Sequence, residues 1–232
     1  MSKTYLLILF VQKIYKIHGM LGVFQHIPDL FEDHKPKLKY KAADVNESVI
    51  KMWKSAKDGW KPKISYTRKD YDRLKNQKNP TAERGFVGHS YTYRGIEFGG
   101  YFNHTLSKRR AHVNRVVNLG KFLKENDVVL KAQSYSKFSN LKNFIIYCDP
   151  PYQDSEQRYY DLDGNKRSFD SKAFWNWCRK MSSNNIVIVS EYKAPSDFKK
   201  LYEKTKVILG TGNNDVRSVR TERLFMYKIL SK

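Results

Sequence analysis

The sequence predicts an α/β fold in which a mainly parallel sheet is interrupted by one long insertion. Apolar runs of strand length alternate with segments of helical hydrophobic period, which is the pattern of repeated β-α units. A basic segment rich in glycine and aromatic residues breaks this alternation after residue 60. The chain has 232 residues, which suits one α/β domain with an insertion and excludes two large independent domains.

The charge balance indicates a polyanionic partner. Lys and Arg total 44 against 23 Asp and Glu, so the formal net charge is +21. Because 40% of the residues are hydrophobic and 14% are aromatic, this charge lies on a folded body and not on a disordered tail. Two cysteines, Cys148 and Cys178, cannot crosslink a chain of this length, and we expect the cytoplasm or another reducing intracellular compartment.

The first quarter of the chain predicts strand, helix, strand and helix. The apolar run 5–11 is too short to span a membrane and lacks a small-residue cleavage site after it. We therefore expect a buried strand there, with a secretion signal as the alternative. A helix is expected over 23–31 and a strand over 39–44, which ends in Asp44. Asn46 is a suitable N-cap for a helix through Ala56.

The later elements continue the alternation. Residues 60–105 are expected to be rich in loops because five glycines interrupt them, and a basic amphipathic helix is predicted over 106–126. Short apolar strands are predicted at 128–130, 144–148 and 186–189. Asp170 is placed to cap a helix through Met181, and Pro195 to open another. Two final strands are expected at 206–209 and 222–229.

The tetrapeptide after the strand 144–148 carries the best candidate for chemistry. Asp149-Pro150-Pro151-Tyr152 lies where the carboxyl end of a strand in an α/β sheet meets its ligand. The two prolines stiffen the backbone, so the Asp149 carboxylate and the Pro150 carbonyl are presented as two acceptors beside an aromatic ring. The alternative is an ordinary turn, which Asp and Pro also favour.

Two acceptors beside an aromatic face suit an amino group attached to an aromatic ring. Gripping both hydrogens of such a nitrogen favours a pyramidal geometry and frees its lone pair for attack. The exocyclic amine of adenine fits this description. Because this amine is paired inside duplex DNA, an enzyme that acts on it must flip the nucleotide out, and Tyr152 would compensate for the lost stacking.

Residues 146–152 resemble the catalytic motif, with its preceding strand, of the DNA adenine methylase (Dam-like) family of adenine-N6 DNA methyltransferases. Residues 43–46 are similar to the family's acidic motif, and four further segments agree in order over residues 19–230. An aspartate at the first position of the catalytic motif favours adenine in DNA. The resemblance implies site-specific methylation of adenine, as in restriction-modification systems, and a Rossmann-like sheet that uses S-adenosylmethionine.

The resemblance also implies roles for individual residues. Asp44 would hold the cofactor ribose, and the implied cofactor-binding set is Gly19, Gly22, Asp44, Asn46, Ser134, Tyr135 and Asp149. Residues 1–59 and 127–232 would form the catalytic domain, and residues 60–126 would be an inserted target-recognition region. The expected DNA contacts there are Arg84, Tyr91, Tyr93, Arg94, Lys108, Arg109 and Arg110, because cations and aromatic rings suit phosphates and bases. A solvated basic face is the alternative.

The front of the chain departs from the family's pattern. Gly19 and Gly22 stand where relatives carry a glycine-rich cofactor motif, but the usual proline and phenylalanine are absent, so this part is expected to be diverged or shortened. Two other interpretations therefore stay open, a DNA-binding paralogue or accessory subunit with impaired catalysis and an RNA methyltransferase. The six histidines show no metal-ligand spacing, so no metal is expected. We expect no membrane association, and a monomer or weak dimer.

Overall fold

The computed structural model describes residues 5–9, 39–93, 96–151, 169–208 and 218–228. Within these ranges one sheet contains seven strands in the order β3-β2-β1-β4-β5-β7-β6. The strands are β1 (Tyr5–Leu9), β2 (Lys39–Asp44), β3 (Val129–Ala132), β4 (Phe144–Cys148), β5 (Ile186–Glu191), β6 (Phe198–Ile208) and β7 (Ser218–Tyr227). The neighbours among β3, β2, β1, β4 and β5 pair in parallel, whereas β7 is antiparallel to both β5 and β6.

The strand order reverses beside β1. From β1 the chain builds outward through β2 and β3, and then returns to place β4 on the other side of β1. In open α/β sheets such a reversal separates the connecting segments and leaves a ligand-sized gap at the carboxyl ends of the strands. The apolar run near the start of the chain is confirmed as a strand, which lies between β2 and β4 inside the sheet.

Five helices lie on the two faces of the sheet in the described ranges. They are α1 (Glu47–Lys57), α2 (Arg68–Asn76), α3 (Ala82–Ser90), α4 (Leu106–Glu125) and α5 (Ser171–Ser182). Strand alternation divides the core between them. On β4, Tyr147 belongs to the cluster built with α1 to α4, whereas Ile146 and Cys148 belong to the cluster built with α5. The molecule therefore has three layers, with the sheet in the middle.

Side-chain caps begin the helices where the sequence predicts them. The Asn46 side chain accepts a hydrogen bond from the Val49 amide at 3.2 Å, and Asp170 accepts from the Ala173 amide at 2.8 Å. Both caps satisfy amides that the first helical turn leaves without an intrahelical acceptor. The predicted basic helix is also confirmed, since α4 covers Leu106–Glu125 and ends one residue before the predicted boundary.

The segment expected to be rich in loops instead contains α2 and α3. Its glycines do not all break structure, because some permit helices to pack closely. A Cβ atom on Gly85 would lie 2.3 Å from the carbonyl oxygen of Ser48 in α1. A Cβ atom on Gly120 in α4 would lie at the same distance from the carbonyl oxygen of Ala56. The helices α1, α3 and α4 thus share one core, which includes the buried rings of Tyr66, Tyr71, Phe86, Tyr91 and Phe98.

Three further expectations differ from the structure or lie outside it. Pro195 does not open a helix but precedes a turn into β6, which begins at Phe198. This strand starts well before the predicted 206–209. The prediction missed its first part because β6 lies at the sheet edge, where Leu201, Tyr202 and several lysines are exposed and the alternation of buried and exposed residues is lost. The predicted helix over 23–31 falls outside the described residues. In the ranges described, none of the helices is long and apolar enough to cross a membrane.

Candidate functional site

Asp44 is held rigidly at the carboxyl end of β2. It is 2% exposed, and its Oδ1 accepts a hydrogen bond from the Asn46 amide at 2.7 Å. Its carbonyl oxygen accepts from the Gln133 amide at 3.0 Å, which ties β2 to the segment after β3. A buried carboxylate bound in this way presents a fixed acceptor at the edge of the sheet.

Asp149 follows β4 at the same edge. It is 4% exposed, and Pro150 and Pro151 are buried as well. Leu9 of β1 is in register with Ala43 on one side and with Cys148 on the other. Asp44 follows Ala43 and Asp149 follows Cys148, so the two acids occupy equivalent positions on their strands, one residue beyond Leu9. Because β1 lies between them, their backbones are two strand spacings apart, or about 10 Å.

Tyr147 is a buried polar neighbour of Asp149 that the sequence analysis treated as part of an apolar strand. Burial raises the pKa of the Tyr147 phenol, and the charge of Asp149 raises it further. A hydrogen bond with the Ser190 side chain acts in the opposite direction but does not offset them. The phenol is therefore neutral at physiological pH and adds no negative charge beside Asp149. The hydrophobic pattern of the sequence could not reveal this polar neighbour, because Tyr is common in buried strands.

Ser134 and Tyr135 lie just after β3, next to the backbone partner of Asp44. The Ser134 side chain caps the short 3-10 helix Tyr135–Lys137 by accepting from the Ser136 amide at 3.4 Å. The Tyr135 ring packs edge-on against Phe174 of α5, with ring centroids 5.2 Å apart, and burial raises the pKa of its phenol. The loop that carries both residues thus ends at the same edge as Asp44, while the Tyr135 ring faces α5.

The structure places Arg84 and Tyr91 inside the molecule, so both leave the set of expected DNA contacts. Arg84 is 6% exposed, and its Nη1 lies 3.1 Å from Oε1 of Glu97 in a buried ion pair. Its guanidinium also lies over the Phe98 ring, 4.8 Å from the centroid. Tyr91 is fully buried, and its hydroxyl donates a hydrogen bond to the Ile64 carbonyl. The sequence could not reveal this, because Glu97 is 13 residues from Arg84.

The other expected DNA contacts that the structure describes are accessible. Tyr93 is 39% exposed, and Lys108 and Arg110 are exposed near the beginning of α4. Arg109 is partly exposed and donates a hydrogen bond to Ser65 Oγ at 2.9 Å. Arg94 lies outside the described residues, as do Tyr152 of the predicted catalytic motif and Gly19 and Gly22 of the predicted cofactor motif.

Burial also shifts the pKa of a histidine in α4 and of a cysteine in β4. Burial lowers the pKa of His112 in α4 to about 4, and the nearby charges of His104 and Arg115 contribute. Cys148 and Cys178 are free, buried cysteines, and burial together with the contact between them raises the pKa of the Cys148 thiol. In the ranges described, no three His, Cys, Asp or Glu side chains are grouped so that they could hold a metal ion.

Comparison with known proteins identifies the family. A search of curated proteins finds no match. The sequence model of the D12 class N6 adenine-specific DNA methyltransferases matches residues 30–213, which is most of the chain and includes both Asp44 and Asp149. The chain therefore belongs to the D12 class N6 adenine-specific DNA methyltransferase family, whose activity is methyl transfer to the N6 amino group of adenine in DNA.

Proposed function

We propose that Asp44 and Asp149 are the two centres of a Rossmann-like active site, the first for S-adenosylmethionine and the second for adenine. The supporting observation is their placement, because the two buried acids occupy equivalent positions at the carboxyl ends of β2 and β4. The strand order reverses between β1 and β4, so both acids flank the crevice where open α/β sheets bind ligands.

The residues around Asp44 fit S-adenosylmethionine, which supplies the methyl group on its sulfonium when bound. A carboxylate fixed by the Asn46 amide suits the two hydroxyl donors of a ribose. Ser134 and Tyr135 follow the neighbouring strand and extend the proposed binding surface along the edge. Gly19 and Gly22 complete the proposed set, since glycines let the backbone approach a ligand closely.

The motif after β4 would grip the flipped adenine. The Asp149 carboxylate and the Pro150 carbonyl accept the two N6 hydrogens, which frees the nitrogen lone pair for attack. The base stacks on Tyr152 and so recovers part of the stacking that it loses on leaving the duplex. The burial of Asp149, Pro150 and Pro151 supports this role because a rigid pair of acceptors needs no reorganisation during the reaction.

The beginning of α4 would contact the DNA backbone. This helix ends at Glu125 and β3 begins at Val129, so the short connection would return the chain in the opposite direction and bring the first turns of the helix toward the edge that carries both acids. Its 20 residues extend about 30 Å, more than twice the length of the four-residue β3. We assign the phosphate contacts to Lys108, Arg109 and Arg110, and the base contacts to Tyr93 and Arg94.

The domain assignment follows from these roles. Residues 1–59 and 127–232 would form the catalytic part, and residues 60–126 would recognise the target sequence. The two parts share one hydrophobic core, because α3 and α4 pack against α1 through Gly85 and Gly120. The recognition segment would therefore be rigidly joined to the cofactor side of the sheet, so DNA binding would not require a hinge between two separate bodies.

Replacing Asp149 tests the adenine site. We expect Asp149→Ala to lower methyl transfer from tritiated S-adenosylmethionine into duplex DNA by about a hundred- to a thousandfold, since a preorganised charged acceptor is lost. DNA affinity should stay within about twofold, because the phosphate contacts remain. Asp72→Ala is the matched control, as this acid is about half exposed on α2. Full activity of Asp149→Ala would refute the assignment.

A further inference from the structure

Asp44 begins a chain of hydrogen bonds that runs from the sheet edge into the inserted segment. The Asn46 amide donates to Asp44, and the Asn46 side chain donates from Nδ2 to Oε2 of Glu97 at 2.8 Å. The other oxygen of Glu97 accepts from Arg84 at 3.1 Å. The same Arg84 nitrogen lies 3.4 Å from Ser48 Oγ, in the first turn of α1. The backbone amide of Asn46 and the side chains of Asn46, Glu97 and Arg84 thus connect the acid at the end of β2 to α3.

Glu97 determines the orientation of the Asn46 side chain. In this orientation Oδ1 accepts from the Val49 amide while Nδ2 donates to Glu97. Turning the side-chain amide over would bring Oδ1 against the Glu97 carboxylate and Nδ2 against an N–H group, so both contacts would become repulsive. Because the same residue also donates its backbone amide to Asp44, the rotamer and the backbone of Asn46 are specified together.

Glu97 is itself held firmly. Its side chain is 12% exposed and the Arg84 side chain is 8% exposed, so solvent screens their ion pair only weakly. The adjacent Phe98 adopts a φ of +48°, in the left-handed region that non-glycine residues rarely occupy. A Cβ atom on Gly88 would lie 2.7 Å from the Phe98 ring, so this glycine leaves room for the ring beneath Arg84.

We propose that Glu97 is a positioning residue for Asp44 and that it acts through Asn46. The proposal rests on the proposed function, because it takes Asp44 as the acid that binds the cofactor ribose. Glu97 belongs to the inserted segment, whereas Asp44 belongs to the sheet. Affinity for S-adenosylmethionine therefore depends on a residue of the segment that recognises DNA, although Glu97 itself touches neither the cofactor nor the reacting atoms.

Two variants interrupt this chain of hydrogen bonds at different points. Asn46→Ser keeps a good N-cap and the backbone amide, but it removes the donor to Glu97. Glu97→Gln removes the charge that pairs with Arg84. We expect each variant to raise the Kd for S-adenosylhomocysteine, measured by calorimetry, by about three- to tenfold, which is the usual effect of one hydrogen bond. The Kd of the double variant should not exceed the higher of the two single-variant Kd values, because both substitutions interrupt the same connection.

Kinetics separates positioning from a general structural effect. Both variants should raise the KM for S-adenosylmethionine while kcat at saturating cofactor stays within about twofold, since the motif that grips adenine is unchanged. A lowered Tm with wild-type Kd and KM would show a structural role alone and would overturn the proposal. If Glu97→Gln does not fold, Glu97→Asp replaces it, because the shorter side chain keeps a carboxylate beside Arg84 but withdraws it from Asn46 Nδ2. Asp72→Asn is the matched carboxylate-to-amide control and should bind as the wild type does.

A third variant distinguishes this proposal from the proposed function. Asp44→Ala should abolish measurable binding of S-adenosylhomocysteine. If Asp44→Ala binds as tightly as the wild type, or if the wild-type chain itself does not bind, then the proposed function fails at the cofactor site. If Asp44→Ala loses binding while Asn46→Ser and Glu97→Gln keep the wild-type Kd within twofold, the proposed function stands and the positioning role of Glu97 is refuted.

Discussion

The helices α3 and α4 both contribute arginine to the inserted segment, but the fold uses the two in opposite ways. Every residue of α3 from Arg84 to Ser90 is buried, and its arginine is neutralised by Glu97. On α4 the buried residues are His112, Val116, Leu119, Gly120 and Leu123, and Lys108 and Arg110 are exposed. Arginine in a basic segment is thus not by itself evidence for a DNA contact.

The difference comes from what each helix packs against. Gly85 lets α3 approach α1 closely, and Arg84 beside it is 6% exposed and pairs with the internal carboxylate of Glu97. The single buried stripe of α4 leaves most of its circumference in water, where cations carry no desolvation cost. Helices such as α4 therefore carry exposed cations that contribute to the formal charge of +21, whereas Arg84 is paired with Glu97 inside the molecule.

The largest effect should come from the buried arginine. We expect Arg84→Ala to lower the free energy of unfolding by about 3–5 kcal/mol, because it leaves the Glu97 carboxylate buried without its cation. Arg110→Ala, which removes the same side chain from an exposed position, should change it by less than about 0.5 kcal/mol. Urea denaturation measures both values. Equal values for the two variants would contradict the distinction between α3 and α4.

The exposed cations should affect DNA binding without affecting stability. Replacing Lys108 and Arg110 by alanine together should reduce the slope of log K against log salt concentration by about two, because two phosphate contacts are lost. Lys172 and Lys180 on α5 provide the matched control, with the same change in charge on the opposite face of the sheet. Binding to duplex DNA, followed by fluorescence anisotropy at several salt concentrations, gives the slopes. An equal reduction of this slope in the control variant would indicate a nonspecific effect of net charge.

The smallest effect concerns His112, on the buried side of the same helix α4. Because its pKa falls from 6.5 to about 4 on folding, the unfolded chain binds more protons between these values. The His112 contribution to stability is therefore complete above about pH 6.5 and decreases as the pH falls toward 4. We expect the decrease in Tm between pH 7 and pH 4.5 to be about 3–6 °C smaller for His112→Gln. An unchanged decrease would show that His112 is solvated in the folded state.

Much of the fold could be predicted because its signals are local. The apolar run before Asp149 predicts β4 at its observed bounds, and the caps Asn46 and Asp170 predict the beginnings of α1 and α5. The edge strand β6 was predicted too short, because its exposed lysines remove the hydrophobic pattern on which such predictions depend. The prediction that a helix begins at Pro195 was wrong, since a proline that suits a first helical turn suits a β-turn equally well.

The sequence by itself determined the motif of residues 149–152, the acid at the end of β2 and the family, because these depend on residues that are adjacent along the chain. Only the tertiary structure decided that Asp44 and Asp149 lie at the same level across β1, since this requires the register of three strands. It also decided that Arg84 faces Glu97 inside the molecule. Burial and pairing depend on which segments meet in space, and an arginine has the same local propensity whether it finally lies beside a carboxylate or beside water.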